Sequence, residues 1–581
     1  MYYTLGKGEG KPVPHPTPFE LDTQHIGALP LVHHMLERLR VETTLDRFLP
    51  RPHPRTRIPP RQALGVLVRN LALARVPLYA LGEWAALRVP TLLGLAGPVG
   101  RGLEDDRVGR SLDRLFDADR YALLTELVVH MVREFGVGLE ELHNDSTTIT
   151  LHGQYAAASG RLVRGKPTLR ISHGHNKDHR PDLKQLLWIL TVSADGAVPV
   201  HFKVADGSTE DSTTHRETWE TLCRWVGSPR FLYVADSKLC TFENLRHIHR
   251  EGGWFLTVLP RSRKEDRLFK DWLQQHTPEW EPVAERPSLR RADAAPDVVR
   301  TCPSPVPDAD GFRLHWYHST WKEARDAEAR SDAIEAAWKG LEALRARLEG
   351  PRSRLRSRAG VRRAAEEVLQ ERGAERWIAY QVTPFEEVAF RQEKRGRPGR
   401  NTRWRRQVKT RFRLTWSLRQ ERVDYDARCD GLFPLLTNVP EKRLSAVELW
   451  TAYKSKQPLV EKRHDLLKNV EAATPMYLKS VARIEALLFL HFVALLVHAL
   501  VEREIRRAMR QRRIESLPLY PEQRACQAPT ARRIFELFEP LQRHLLRKDG
   551  LIIQRFDPEL DERQQLILEL LDIPPSTFRN L

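Results

Sequence analysis

The chain has 581 residues, of which 41% are hydrophobic and 29% charged, so it is long enough for several globular domains with large cores. Its 94 Lys and Arg outnumber its 76 Asp and Glu, and the resulting formal charge of +18 predicts a polyanionic partner, nucleic acid before membrane. Five scattered cysteines without a Cys-x-x-Cys pair argue against a disulfide framework and a structural zinc site, and they favour a reducing, cytoplasmic location.

The first part of the chain is predicted to be helical after a polar lead-in. Residues 1–24 are Pro-rich and have no apolar core of signal-peptide type. Apolar residues recur at three- and four-residue spacing in 27–39, 61–76 and 119–136. We therefore expect an α-helical N-terminal domain over 25–138. It lacks a clean helix-turn-helix signature.

Short runs of strand type begin at about residue 139. They cover 139–151, 185–205, 230–239 and 254–260. The dipeptide Asp195-Gly196 marks a hairpin within the second run, and a helix is predicted after it in 214–227. The order strand, hairpin, helix, strand, helix, strand is typical of an α/β domain with a mixed sheet.

This alternation is interrupted after residue 262. Residues 319–376 are rich in Ala, Glu and Arg and predict one or two long solvated helices, broken near 349–360. The basic segment, residues 391–413, has eleven Lys or Arg and a single acid. Strand-like pieces then return in 413–426 and 431–439.

The last part of the chain is predicted to be helical. A helix candidate covers 445–470, and further helices are expected from 474 to about 513 and after 530. The longest apolar run, 486–500, is short for a membrane span and contains two His. We interpret it as a buried helix and expect no membrane partner.

Three acids stand at positions that suggest chemistry. Asp145 lies in the first predicted strand, and Asp236 directly follows the buried run 231–235. A lone Asp there commonly caps a turn, and the alternative is a metal ligand or catalytic acid at the carboxyl end of a strand. Glu461 lies in the helix candidate, where a surface ion-pair ladder with Asp465 and Lys468 is the alternative.

Taken together, two Asp and one Glu form a set of hard oxygen ligands that suits Mg²⁺ or Mn²⁺. Two such ions ~4 Å apart can activate water or a 3′ hydroxyl and stabilise the leaving oxygen of a phosphodiester. Three further acids, Asp206, Asp211 and Asp430, are also candidates for this site.

Five segments carry a resemblance to a known family. In chain order they are LHNDSTTI (142–149), HGHNKDHRPDLKQ (173–185), VADSKLCTFENL (234–245), DGLFPLLTN (430–438) and LVEKRHDLLK (459–468). The sequence resembles bacterial insertion-sequence transposases of the Asp-Asp-Glu superfamily. It is most similar to the branch with a Tyr-Arg-Glu-Lys signature around the catalytic Glu, and 27–39 resembles the leader domain of that branch.

The resemblance implies a ribonuclease H-like mixed-sheet catalytic core that is interrupted by an insertion domain. It implies these boundaries: core 139–262, insertion 263–411, core with the Glu helix 412–513, helical C-terminal region 514–581. Asp145, Asp236 and Glu461 become the catalytic residues and the ligands of two Mg²⁺ or Mn²⁺ ions. Lys468 becomes the signature's DNA-binding lysine.

Two positions depart from the signature. Gln457 stands where an Arg is expected, and Tyr453 lies one residue further from Glu461 than in the pattern. Lys454 and Lys456 are candidate substitutes for DNA contact.

Further DNA contacts are expected in two segments. The His-rich segment has His173, His175 and His179, for which zinc binding is the alternative to loop structure. The candidate phosphate contacts here and after the second acid are Lys177, Arg180, Lys184 and Lys238.

In the basic segment, RGRPGR (395–400) resembles the Arg-Gly-Arg-Pro core that lies in the minor groove of AT-rich DNA, and the alternative is a flexible loop that binds phosphates. Its candidate contacts are Arg395, Arg397, Arg400, Arg403 and Arg405.

The expected function is a DNA transposase that binds terminal inverted repeats, cleaves them and joins 3′ ends to target DNA. The helical N-terminal domain, 25–138, is the candidate for recognising the DNA ends. A homodimer is expected in the synaptic complex, within the bacterial cytoplasm and associated with the nucleoid when bound to DNA. The alternatives are a catalytically inactive DNA-binding protein derived from a transposase and a structure-selective ribonuclease H-like nuclease.

Overall fold

A computed structural model describes most of the chain. The described residues are 19–53, 56–97, 100–287, 295–350, 353–470, 478–520, 522 and 524–579. They fall into two compact units: the first unit comprises residues up to Phe255 and from Ala452 onward, and the second unit comprises Leu256–Thr451.

The secondary structure alternates in type along the chain. The N-terminal elements are β1 (Glu20–His25), α1 (Leu29–Arg38), α2 (Val41–Phe48), α3 (Pro60–Leu73), α4 (Leu81–Ala86), α5 (Asp105–Asp117) and α6 (Arg120–Phe135). Next come β2 (Glu141–Leu151), β3 (Leu162–Val163), β4 (Lys166–Pro167), β5 (Lys184–Ser193), β6 (Pro199–Ala205), α7 (His215–Val226), β7 (Leu232–Ala235), α8 (Phe242–Arg250), β8 (Trp254–Val258) and α9 (Lys264–Leu273).

The remaining elements complete both units. Those before residue 451 are β9 (Glu281–Arg286), β10 (Asp297–Pro303), β11 (Arg313–Ser319), α10 (Thr320–Glu349), α11 (Arg358–Glu371), β12 (Ile378–Gln392), β13 (Trp404–Leu418), α12 (Gln420–Ala427), β14 (Leu432–Thr437) and α13 (Ala446–Trp450). Those after it are α14 (Pro458–Asp465), α15 (Val481–Gln511), α16 (Ala531–Phe538), β15 (Gln542–Lys548), β16 (Leu551–Phe556) and α17 (Glu562–Leu570). Two π-helical segments, Thr451–Lys456 and Leu466–Val470, flank α14.

The sheet of the first unit is mixed, as the sequence predicts. Its strands lie in the order β6-β5-β2-β7. β2 pairs antiparallel with β5 and parallel with β7, and β5 and β6 form the predicted hairpin through Asp195-Gly196. Almost all of β5 is buried, which indicates that both faces of the sheet are covered.

α15 lies in the core of the first unit. By length and composition, α15 is the single continuous helix among the described residues that could cross a membrane. The whole of its apolar stretch is buried inside the protein. It packs against α3, α5 and β6. This burial favours the predicted core helix over a membrane span.

The second unit combines antiparallel strands with two long helices. β14 pairs with β11 and with the end of β8, and β11, β10 and β9 continue the antiparallel order. The predicted long helices are α10 and α11, with their break near residue 350. They bury one end of the β12–β13 hairpin through contacts around Leu341, Val361 and Leu414.

The structure differs from the sequence-based expectations in three places. Residues 391–413 comprise the end of β12, the connecting turn that contains RGRPGR, and the first part of β13, so strands flank the predicted basic segment. The lead-in ends in β1, which pairs with β15, and the C-terminal region, expected to be helical, contains β15 and β16. A strand whose partner lies more than 500 residues away has no local pattern that reveals it, since pairing of this kind depends on long-range contacts.

Arg463 fixes the helix that carries Glu461. Its guanidinium donates to the carbonyl oxygens of Gly196 and Ala197 in the β5–β6 turn, at 3.2 and 2.9 Å. It also lies 2.9 Å from the Glu502 carboxylate of α15, and both side chains are buried. One side chain thus joins α14, the sheet and the core helix.

We expect Arg463→Met to lower the unfolding free energy by about 3 kcal/mol, because removing one partner of a buried pair leaves the other charge uncompensated. Urea unfolding measures this change. Lys462→Met, at the exposed neighbouring position, is the control and should change stability little. Equal effects of the two substitutions would contradict the anchoring role.

Candidate active site

Asp145 and Asp236 lie side by side at the end of the parallel pair β2–β7. The register pairs His143 with Val234 and Asn144 with Ala235. One step further along both strands brings Asp145 next to Asp236. Neighbouring strands are about 4.8 Å apart and residues at the same register point to the same face, so the two carboxyl groups share one small region.

Asp236 caps a turn and also lies beside another acid. One carboxylate oxygen accepts a hydrogen bond of 2.9 Å from the backbone N–H of Lys238, which is the geometry of a capped turn. The same side chain lies beside Asp145 at the carboxyl end of β7. The turn therefore holds the carboxylate in place without removing it from the cluster.

Glu461 is brought to the two aspartates by α14, which packs on β2. Gln457, just before the helix, is buried and donates to the backbone oxygen of Asn144 at 3.1 Å. Its amide oxygen lies 3.0 Å from Nδ1 of His143. Gln457 therefore joins the helix to β2. Because its side chain is buried, it is not placed to contact DNA as the signature's Arg would.

The electrostatics of the cluster reflect its crowded charges. Burial raises the pKa of Asp145 to about 7; Lys177 opposes this rise, and the charges of Asp236 and Glu461 add to it. Burial is also the main cause that raises the pKa of Asp236. The pKa of Tyr453 is raised by burial and then by all three carboxylates. The three acids and the Tyr453 hydroxyl therefore belong to one site.

A π-helical segment places Tyr453 in this site. Tyr453 precedes Glu461 by eight residues, which on a regular α-helix would turn it ~80° away from the face of Glu461. The π-helical segment Thr451–Lys456 absorbs one residue, as such segments do. The extra residue in the sequence is thereby compensated, and the phenol faces the carboxylates.

Lys177 supplies the positive charge of the cluster. Its ammonium lies 3.9 Å from Asp145 and 3.0 Å from Asp211, and it donates to the backbone oxygen of Ser146 at 2.6 Å. The Ser146 hydroxyl donates to Asp211 at 2.7 Å. Asp211 was one of the open alternatives in the sequence, and it belongs to the site as the partner of Lys177.

His464 is a site residue that the sequence did not single out. It lies one turn after Glu461 on α14, with Nδ1 3.6 Å from an oxygen of Asp145. Burial lowers its pKa to about 3, so the imidazole is neutral at physiological pH. Its spacing of three residues from Glu461 is the signal that could have revealed it.

The other two candidate acids lie elsewhere. Asp206 accepts the backbone N–H of Arg170 at 2.8 Å. Asp430 belongs to the second unit, where its two oxygens accept hydrogen bonds of 2.6 and 2.7 Å from Arg330. Both carboxylates have structural partners of their own.

Of the other predicted DNA contacts, some pair with groups of the protein and others are exposed. Lys456 pairs with Glu141 at 2.6 Å, and Lys468 pairs with Asp178 at 2.5 Å. The exposed Arg180 pairs with Asp182. Lys184 donates to the backbone oxygen of Gln154, Lys238 is exposed, and Lys454 lies 6.0 Å from the ring centre of Tyr453. The five arginines of the basic segment, Arg395, Arg397, Arg400, Arg403 and Arg405, are exposed on the hairpin of the second unit.

The donor set of the site fits a hard divalent cation. Its oxygens come from carboxylates whose mutual repulsion helps to raise the pKa of Asp145, and a cation would relieve that repulsion. In the described part of the chain, no three His, Cys, Asp or Glu side chains lie close enough to share one metal ion. Binding therefore requires the carboxylates to draw together around the ion.

Comparison with known proteins gives limited matches. Residues 21–129 match a family model described as a domain of unknown function (DUF4277), a span that does not reach the three acids. No curated protein matches the chain. Among solved structures, the chain is similar to a cryo-EM structure of a piggyBac transposase synaptic complex with hairpin DNA, with a TM-score of 0.32 and 8% identity over 83% of this chain and 77% of that chain. A likeness of this size does not establish a shared fold.

We expect Asp145→Asn to change how stability depends on pH in chelator-treated protein. The folded-state pKa of Asp145 lies above its unfolded value of 3.8, so its stabilising contribution is present below pH 4 and is lost as pH rises towards 7. The variant should gain stability over wild type between pH 4 and pH 8, by as much as about 4 kcal/mol.

Urea unfolding of both proteins across this pH range measures the gain. Glu515→Gln, at an exposed position, is the control for a simple loss of one negative charge. Parallel pH profiles of wild type and Asp145→Asn would contradict the raised pKa.

Proposed function

We propose that the chain is a DNA transposase of the Asp-Asp-Glu superfamily with a ribonuclease H-like core. It would bind the terminal inverted repeats of an insertion sequence, cleave the DNA and join 3′ ends to target DNA as a homodimer. The main support is that Asp145 and Asp236 are neighbours across the β2–β7 pair and that α14, which packs on β2, carries Glu461 close enough for its charge to act on Asp145. The formal charge of +18 supports a DNA partner.

Each acid has a defined task in this proposal. Asp145 would provide oxygen ligands from within β2, Asp236 from the turn after β7, and Glu461 from α14. Two Mg²⁺ or Mn²⁺ ions bound here would supply Lewis-acid activation of the attacking oxygen and neutralise charge on the leaving oxygen. Asp145 must lose its proton to serve as a ligand, so its raised pKa makes ion binding release a proton.

The surrounding side chains hold this arrangement. Lys177 balances part of the negative charge and is fixed by Asp211 and the backbone of Ser146. Gln457 and Arg463 fix α14 against the sheet. Positioning of this kind is the main protein contribution to phosphoryl transfer, because the carboxylates form no covalent intermediate.

We expect Asp145→Asn, Asp236→Asn and Glu461→Gln each to reduce metal-dependent cleavage and joining at least ~100-fold, the scale of losing one preorganised charge-stabilising group. The assay uses labelled duplex DNA with the sequence that flanks this gene, with Mg²⁺ or Mn²⁺. DNA binding should persist. Asp465→Asn, an exposed acid four residues after Glu461 on α14, is the matched control and should cut normally.

Three outcomes would change the proposal. Cutting by Asp236→Asn at the wild-type rate would show that the site is wrong. Binding of the repeats by wild type without cutting would favour the inactive DNA-binding protein. Cleavage of branched or hybrid substrates without strand joining would favour the nuclease.

We also expect Mn²⁺ to raise the melting temperature of wild type, because an ion that binds only the folded state stabilises it by mass action. Asp236→Asn and Glu461→Gln should lose most of this rise, whereas Asp465→Asn should retain it. Differential scanning calorimetry without DNA measures the effect, so the test does not depend on turnover. A rise that is unchanged in the first two variants would place the ion elsewhere.

A further inference from the structure

The β12–β13 hairpin extends well beyond its core. Each strand has 15 residues, which corresponds to about 50 Å at ~3.4 Å per residue. Ile378, Val382 and Leu414 are buried against α10 and α11. Residues 383–413, all of which the structure describes, contain no buried residue. We name this part the arm.

One face of the arm carries most of its exposed large apolar side chains, interspersed with polar ones. Directly paired residues of a hairpin point to the same face, and the pairs include Val388 with Val408, Phe390 with Arg406, and Gln392 with Trp404. Phe390 is 63% exposed and Trp404 52% exposed. Such exposure of two aromatic rings on one face indicates a binding surface.

The opposite face and the tip are basic. Arg391 lies directly opposite Arg405, an arrangement that is destabilising without a polyanion, and Lys409 lies on the same face. The turn between the strands, residues 393–403, has five Lys or Arg and a single acid, Glu393. The charge of the arm therefore selects a polyanion as its partner.

We propose that the arm binds the minor groove of duplex DNA and that Phe390 and Trp404 enter as a wedge that opens a base step and kinks the duplex. The inference rests on the proposed function for its choice of DNA. Minor-groove proteins combine Arg or Lys with apolar side chains inserted between base pairs, and two-stranded ribbons are a known form of groove reader. The arm carries both the wedge and the charge, and its basic tip directly adjoins Trp404 along the hairpin.

The test uses the full chain with chelator, so that no cutting is needed. A duplex with an AT-rich centre carries 2-aminopurine to report unstacking and terminal fluorophores to report bending. We expect Phe390→Ser with Trp404→Ser to abolish both signals and weaken binding ~10-fold, with the salt dependence retained. Arg395→Gln with Arg397→Gln should instead reduce the slope of log K against log salt by about 2.

Phe385→Ser is the matched control, because Phe385 is an exposed aromatic residue on the basic face of the same hairpin. It should leave unstacking and bending unchanged. Normal kinking by the Phe390 and Trp404 double variant would overturn the proposal. So would tighter binding of wild type to phosphatidylserine vesicles than to DNA, which would assign the arm to a membrane surface.

This experiment is separate from the test of the active site. A protein that kinks DNA but never cuts it would support the proposed role of the arm and refute the proposed transposase activity. A protein that cuts and joins without kinking would do the reverse.

Discussion

The first unit depends on holding two carboxylates side by side in a partly buried place. Asp145, in the middle of β2, lies next to Asp236, which directly follows the end of β7, so the pairing of these parallel strands brings their charges together. Burial and like charge both oppose ionisation there, which is why the pKa of Asp145 reaches about 7. Such an arrangement is unfavourable for the free protein, and it is stable only because the surrounding structure fixes it.

Three attachments supply that fixation. Lys177 and Asp211 form a counter-charge beside the aspartates. Gln457 fastens the start of α14 to β2, and Arg463 fastens its middle to the β5–β6 turn and to α15. The helix that carries Glu461 is thus held at both the sheet and the core helix.

The second unit is marked by the exposed end of its β12–β13 hairpin. Its core covers only one end of the β12–β13 hairpin, so the other end keeps aromatic and basic side chains in solvent. A protein with only stability to satisfy would shorten such a hairpin or make it polar. The two units therefore differ in what they present: the first brings acids together beside its sheet, and the second presents a long basic surface.

The sequence by itself determined the mixed sheet, its hairpin and the buried α15, because apolar periodicity and the Asp195-Gly196 turn are local signals. It also singled out Asp145, Asp236 and Glu461, since an acid within a strand, an acid directly after a buried strand and acids on one helix face are locally unusual. It could not reveal the parallel register that joins the aspartates, the π-helical segment that returns Tyr453 to the site, or His464 beside Asp145. Nor could it show that β1 pairs with β15 or that the basic segment forms an arm. These features depend on contacts between residues far apart in the chain, and only the tertiary structure decides them.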